Sequence, residues 1–126
     1  MNTLLAINKL AVGYDKTNPE NALISAFTTK VKAGERIAIM GLNGSGKSTL
    51  LKTISGELDA LSGNVFFGNR EMSSLQANER SRLVSTVFTR YQNPGQLTVD
   101  EVISFGRYPY TNTFNKLDVN DKQRIE

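Results

Sequence analysis

GLNGSGKST, residues 41–49, is the stretch whose reading decides the fold. Gly41 and Gly46 bracket four residues, and Lys47 and Ser48 follow at once, giving the pattern Gly-x-x-x-x-Gly-Lys-Ser/Thr. Such a loop must point consecutive backbone N–H groups into one concavity, and glycine supplies the torsions and the close approach this requires. Gly44 adds a third permissive position. Before the loop, RIAIM (36–40) holds four successive apolar residues, which predicts a central parallel strand covered on both faces. After it, STLLKTIS (48–55) puts Leu50, Leu51 and Ile54 at helical spacing, with Gly56 placed to stop the helix.

Strand, glycine loop and helix in that order predict an anion site. The first N–H groups of the helix and the positive end of its dipole both face the loop. The expected ligand is Mg-ATP: Gly41, Leu42, Asn43, Gly44, Ser45, Gly46, Lys47, Ser48 and Thr49 form the phosphate loop. Lys47 would reach the β- and γ-phosphates and the Ser48 hydroxyl would ligate Mg²⁺. The plainer alternative, a glycine-rich turn that only joins strand to helix, is disfavoured by the ordered elements on both sides.

Working outward, Leu4 to Val12 reads as a half-buried strand near an edge, and DKTNPEN (15–21) as turn chemistry. Phe27 to Lys32 alternates Phe27, Thr29, Val31 against Thr28, Lys30, Lys32, the period of a strand with one wet face, so the two segments form a hairpin-like antiparallel element before the Ala33-Gly34 turn. GNVFFGN (63–69) predicts a short strand, ANERSRL (77–83) a short polar helix and LVSTVF (83–88) another strand. In LTVDEVISFG (97–106), Thr98 and Glu101 make a capping box and Gly106 is the expected terminator. DVNDKQRIE (118–126) looks like the first turns of a helix that stops without a cap, so the chain is expected to be a truncated piece.

Composition excludes several chemistries. Fifteen Lys plus Arg against twelve Asp plus Glu give a net charge of +3, scattered along the chain, and no nucleic-acid partner is inferred. Without cysteine there are no disulfides or thiolate metal sites, and without histidine the usual general base and zinc ligand are missing. Hydrolysis would have to use a carboxylate, the backbone or a metal-bound water. No signal peptide or membrane span is read, so a cytoplasmic location is expected.

The order of Tyr14, antiparallel strands, Gly-Glu at 34–35, buried strand, Asn-Gly-Ser-Gly-Lys-Ser-Thr at 43–49 and Ser-Gly-x-Val at 62–65 resembles the N-terminal half of an ATP-binding cassette (ABC) transporter ATPase. The resemblance implies an α/β fold of the P-loop NTPase type, with an N-terminal antiparallel β-subdomain, part of a RecA-like core and the start of the helical subdomain. On this reading 1–126 is a single partial domain: 1–34 is antiparallel β on the adenine side, 35–96 the phosphate-loop core portion, and 97–126 the start of the helical subdomain.

LTVDEVISFGRYPYT (97–111) is similar to the ATPases that drive importers of iron-siderophores, haem and cobalamin, where a Gly-Arg-Tyr-Pro run follows a similar helix. By the same resemblance Tyr14 stacks on adenine, its plainer role being an aromatic at a strand end. Arg107, Tyr108 and Pro109 match a region facing the permease, or else form a surface turn. A glutamine that approaches the metal in the family aligns here with Thr89, whose shorter side chain could still place an oxygen near a metal-bound water; the nearest glutamine is Gln92, so Thr89 or Gln92 is the candidate equivalent, with Gln92 or a water as the expected substitute. The family's Leu-Ser-Gly-Gly-Gln signature, its Asp-Glu pair and its switch His are absent, and Leu61-Ser62-Gly63-Asn64 is read as a turn.

The implied full-length protein is an ATP hydrolase. It pairs with a second ATPase subunit as a homodimer, couples to permease subunits, and meets the membrane only through them, peripherally on the cytoplasmic face. The 126 residues alone are expected to be a very poor ATPase. An ABC protein unconnected with transport, and a non-catalytic nucleotide-binding module, stay open as alternatives.

Overall fold

A computed structural model describes residues 3–87, 95–111, 117, 121 and 123. The chain divides into two compact units, Met1–Leu83 and Val84–Glu126.

The first unit is built on a four-stranded antiparallel sheet of order β2-β1-β3-β4, with β1 at Thr3–Val12, β2 at Ile24–Lys32, β3 at Ser62–Phe67 and β4 at Arg70–Glu71. The expected pairing of the first two strands is present, with Ala6 opposite Lys30 and Ile7 opposite Thr29. β1 is not an edge strand, however: it lies between β2 and β3 and carries the most deeply buried residues, Ile7, Leu10 and Val12.

A bulge hides that role from a period-two reading. Ile7 and Leu10 are three apart and would face opposite sides of a regular strand. Lys9 has φ 46°, and the register slips there against both neighbours, which brings both side chains into the core. Thr28 Oγ1 accepts the displaced Lys9 N–H at 2.9 Å. Gly63 makes room for the bulge: a Cβ there would lie 2.6 Å from the Asn8 carbonyl oxygen and closer still to that of Lys9.

The turn at 15–21 forms as expected, with Asp15 Oδ1 accepting from the Thr17 N–H, the Thr17 hydroxyl and the Asn18 N–H. These donors hold the Asp15 carboxyl below its ordinary value. Helix α1 (Lys47–Ser55) contacts β1, buries Thr49, Leu50 and Thr53, and ends at Gly56, which takes the left-handed conformation at φ 79°. The core is completed by Val65 of β3 and by Met72 and Leu75 around a short 3₁₀ turn, and α2 (Ala77–Leu83) follows as a polar helix with no buried residue.

Two expected strands are not formed. Residues 36–40 belong to no strand and lie exposed, Ile37 at 63% and Met40 at 88%. Residues 84–87 likewise carry no strand, with Val87 exposed, and Phe88 lies outside the described residues. The reason is common to both: a strand exists only through hydrogen bonds to a neighbour, and among the described residues neither segment has one.

In the second unit, α3 (Val99–Ser104) starts with the expected capping box. Thr98 N–H donates to Glu101 Oε2 at 2.7 Å, and Glu101 N–H donates to Thr98 Oγ1 at 3.3 Å. Gly106 does not terminate the helix in a left-handed cap. The backbone tightens instead into a 3₁₀ helix over Phe105–Tyr110, which Pro109 tolerates and which closes at Thr111 N–H to the Tyr108 carbonyl. Of the expected helix at 118–126, Asp121 and Gln123 are helical and the remaining residues lie outside the described set.

Candidate nucleotide site

The loop at 41–46 owes its path to its glycines. Gly44 and Gly46 have φ of 82° and 87°, torsions a side chain would resist, and the Ser45 N–H closes a turn on the Leu42 carbonyl at 3.2 Å. Gly46 also allows a close approach to the start of β2, since a Cβ there would sit 3.1 Å from Leu23 Cβ. Gly41 lies so near Ser45 that an added Cβ would fall 2.8 Å from Ser45 Oγ. The loop is thereby held against the sheet.

Gly46 is the N-cap of α1 and accepts the first helical bond, from the Leu50 N–H at 2.8 Å. It offers no side-chain acceptor, so the N–H groups of the first turn are not capped by a side chain. Lys47 folds back over the loop, its Nζ donating to the carbonyl oxygens of Gly41 at 2.9 Å and Leu42 at 2.7 Å. An ammonium has three N–H bonds, so one remains for an anion in front of the loop. The space at Gly44 is open, with nothing within 4 Å of an added Cβ. Uncapped amides, a fixed cation and open space are what a phosphate chain requires, and these residues fit ATP.

The other expected site residues fall as follows. Leu42, Asn43 and Ser48 are exposed. Thr49 is buried, and its hydroxyl donates to Tyr14 Oη at 3.2 Å, while Tyr14 as a whole is 69% exposed. Tyr14, the loop and the first turn of α1 thus come together in one unit. Thr89 and Gln92 lie outside the described residues. Among the described residues no group of three or more His, Cys, Asp or Glu could hold a metal. A Mg²⁺ here would be met by Ser48 and by oxygens of its ligand. An open depression over the β1 bulge, lined by Asn8, Lys9, Thr28, Ser62, Gly63 and Asn64, contains none of the expected site residues.

Arg107 of the second unit is engaged by its own unit. Its Nε and Nη2 donate to Asp121 Oδ1 at 2.8 and 2.6 Å, and its guanidinium lies 4.5 Å from the Tyr110 ring centroid. Asp121 is buried. The sequence offered no sign of this pair, because 14 residues separate its members. The Phe105 and Tyr108 rings pack at 5.3 Å and remain partly exposed.

Residues 24–126 match the family model described as ABC transporter. The chain belongs to the ABC transporter family. An uncharacterized ABC transporter ATP-binding protein of Methanocaldococcus jannaschii is 34% identical over 97% of this chain and 41% of its own length. The ferric enterobactin transport ATP-binding protein of Escherichia coli is 31% identical over 93% of this chain and 42% of its own. A spermidine/putrescine import ATP-binding protein of Borrelia garinii is 34% identical over 83% and 29%.

A solved ATP-binding subunit of an ABC transporter has the same fold, with a TM-score of 0.77 at 24% identity over 97% of this chain and 47% of that one. The antiparallel sheet and following helices are therefore an ABC ATPase fold, and the chain spans less than half the length of these ABC relatives. Among the described residues no helix is long and apolar enough to cross a membrane.

Proposed function

We propose that this chain is the nucleotide-binding part of the ATPase subunit of an ABC importer, taking Mg-ATP at 41–49. The observation that carries the reading is the Lys47 ammonium seated on the Gly41 and Leu42 carbonyls beside the uncapped start of α1. The backbone N–H groups of Gly44, Gly46, Lys47 and Ser48 bind the phosphates, the Lys47 ammonium neutralises charge at the β- and γ-phosphates, and Ser48 supplies a metal ligand. Tyr14 presents its exposed ring to the adenine. Bound Mg-ATP supplies the phosphoanhydride whose hydrolysis drives transport.

The whole protein pairs with a second ATPase subunit and with permease subunits on the cytoplasmic face. The likeness to the ferric enterobactin protein and the Gly106-Arg107-Tyr108-Pro109 run favour an iron-siderophore class of substrate, with haem and cobalamin in the same class. The relative named for spermidine/putrescine import supports a polyamine as the second reading. Uptake assays with labelled ferric siderophore and labelled spermidine, in cells with and without the gene, separate the two.

These 126 residues contain no Leu-Ser-Gly-Gly-Gln and no histidine, and the chain by itself binds far better than it hydrolyses. The binding claim is tested by isothermal titration with Mg-ATP. Lys47→Ala removes a charged hydrogen-bonding partner worth about 1.5–3 kcal/mol, so affinity falls by roughly tenfold to a hundredfold. Equal affinity in the two proteins contradicts the proposal.

A further inference from the structure

We infer that Thr49 is a positioning residue for the base end of the nucleotide: its hydroxyl holds the Tyr14 phenol, and through it the whole ring, at a fixed place beside the phosphate loop. This rests on the nucleotide reading of 41–49. The Thr49 side chain is set before any ligand arrives, since the residue is 4% exposed, β-branched, and packed in the buried face of α1 with Leu50 and Thr53. Its Oγ1 donates across 35 positions of sequence to Tyr14 Oη.

Tyr14 is the opposite kind of residue. With 69% of its surface exposed, little packing restrains its ring, and an exposed aromatic left to itself exchanges rotamers freely. Fixing the hydroxyl at the far end of the ring restrains both side-chain torsions while leaving the ring faces open. Open faces are what a planar heteroaromatic base needs for stacking. Thr49 also lies two residues beyond Lys47 on the same rigid helix, so one element carries both the phosphate-binding cation and the anchor of the ring. The spacing between base and phosphate subsites is then fixed before binding, and less ordering is left for the ligand to drive.

The role predicts a split between ligands. Inorganic tripolyphosphate uses only the loop, whereas ATP uses loop and ring. With isothermal titration of both as magnesium complexes, Thr49→Val lowers the ratio of ATP to tripolyphosphate affinity by roughly threefold to tenfold, the range of one hydrogen bond. Thr49→Ser keeps the hydroxyl and the wild-type ratio. Tyr14→Phe, a change at an exposed position that keeps the ring, lowers the ratio as much as Thr49→Val, and the double variant falls no further.

An unchanged ratio in Thr49→Val, an equal loss for both ligands, or additive losses in the double variant overturn the inference while leaving the nucleotide reading of 41–49 in place. A wild-type protein that binds tripolyphosphate as well as ATP overturns it in the same way. A wild-type protein that binds neither ligand overturns the nucleotide reading and this inference together.

Discussion

At the scale of single residues, the glycines divide into those that sequence spacing reveals and those it does not. Gly41, Gly44 and Gly46 mark a glycine loop in the sequence because the torsions of such a loop depend on residues adjacent in the chain. Gly63 reads as the glycine at the start of a short strand and as part of a turn, yet it carries a constraint of its own. Its φ of 79° and the Asn8 and Lys9 carbonyls opposite leave no place for a side chain. Gly63→Ala costs at least about 1–2 kcal/mol from the left-handed backbone alone, with the overlap against β1 added. A denaturant midpoint lower than wild type by that amount or more is expected. An unchanged midpoint would show that the bulge at Lys9 can relax. The Thr49 to Tyr14 bond was not legible, since nothing in a local pattern relates residues 35 positions apart.

Among the elements, those with strong local signals formed as read: the Asp15 turn, α1 with its Gly56 stop, α2, and the capping box of α3. Strands, which need a distant partner, were divided: β2 and β3 found theirs in β1, while 36–40 and 84–87 found none among the described residues. RIAIM has the composition of a doubly covered strand, but composition reports what a segment can bury, and pairing decides whether it becomes a strand. β1 failed in the other direction, because the bulge at Lys9 broke its alternation and disguised a central strand as an edge.

The capping box also sets a pH dependence. The Thr98 N–H, foremost, and the Thr98 hydroxyl donate to the Glu101 carboxylate and hold its pKa below the ordinary 4.5. A depressed carboxyl pKa stabilises the folded form above the ordinary value, and that contribution is lost as pH falls through the folded value. The protection of the first-turn amides of α3, read as the exchange rate relative to the intrinsic rate at each pH, therefore falls on acidification below pH 4.5, and Glu101→Gln removes the acid-dependent part. Protection with the same acid dependence in both proteins would contradict the role given to Glu101.

For the molecule as a whole, the balance between buried and exposed apolar surface is unusual. Ile37, Met40, Leu42 and Leu51 of the first unit are more than half exposed, and so is Val87 of the second. In relatives more than twice as long, the same family fold has further chain with which to cover such residues. Exposed apolar side chains in this number favour association. Sedimentation equilibrium of the 126-residue chain is expected to give an average mass above that of one chain, rising with concentration, and Ile37→Lys with Met40→Lys to reduce it. A monomer at every concentration would show that these residues find cover within one chain.

The central claim is that the loop at 41–49 holds a nucleotide by its phosphates, and backbone amide NMR of the labelled chain tests it most directly. Addition of Mg-ATP is expected to move the Gly44, Gly46, Lys47 and Ser48 amide resonances furthest, with Lys47→Ala needing roughly tenfold to a hundredfold more ATP for the same displacement. Resonances that stay in place at the loop, or that move instead around Asn8, Lys9 and Gly63, would contradict the account.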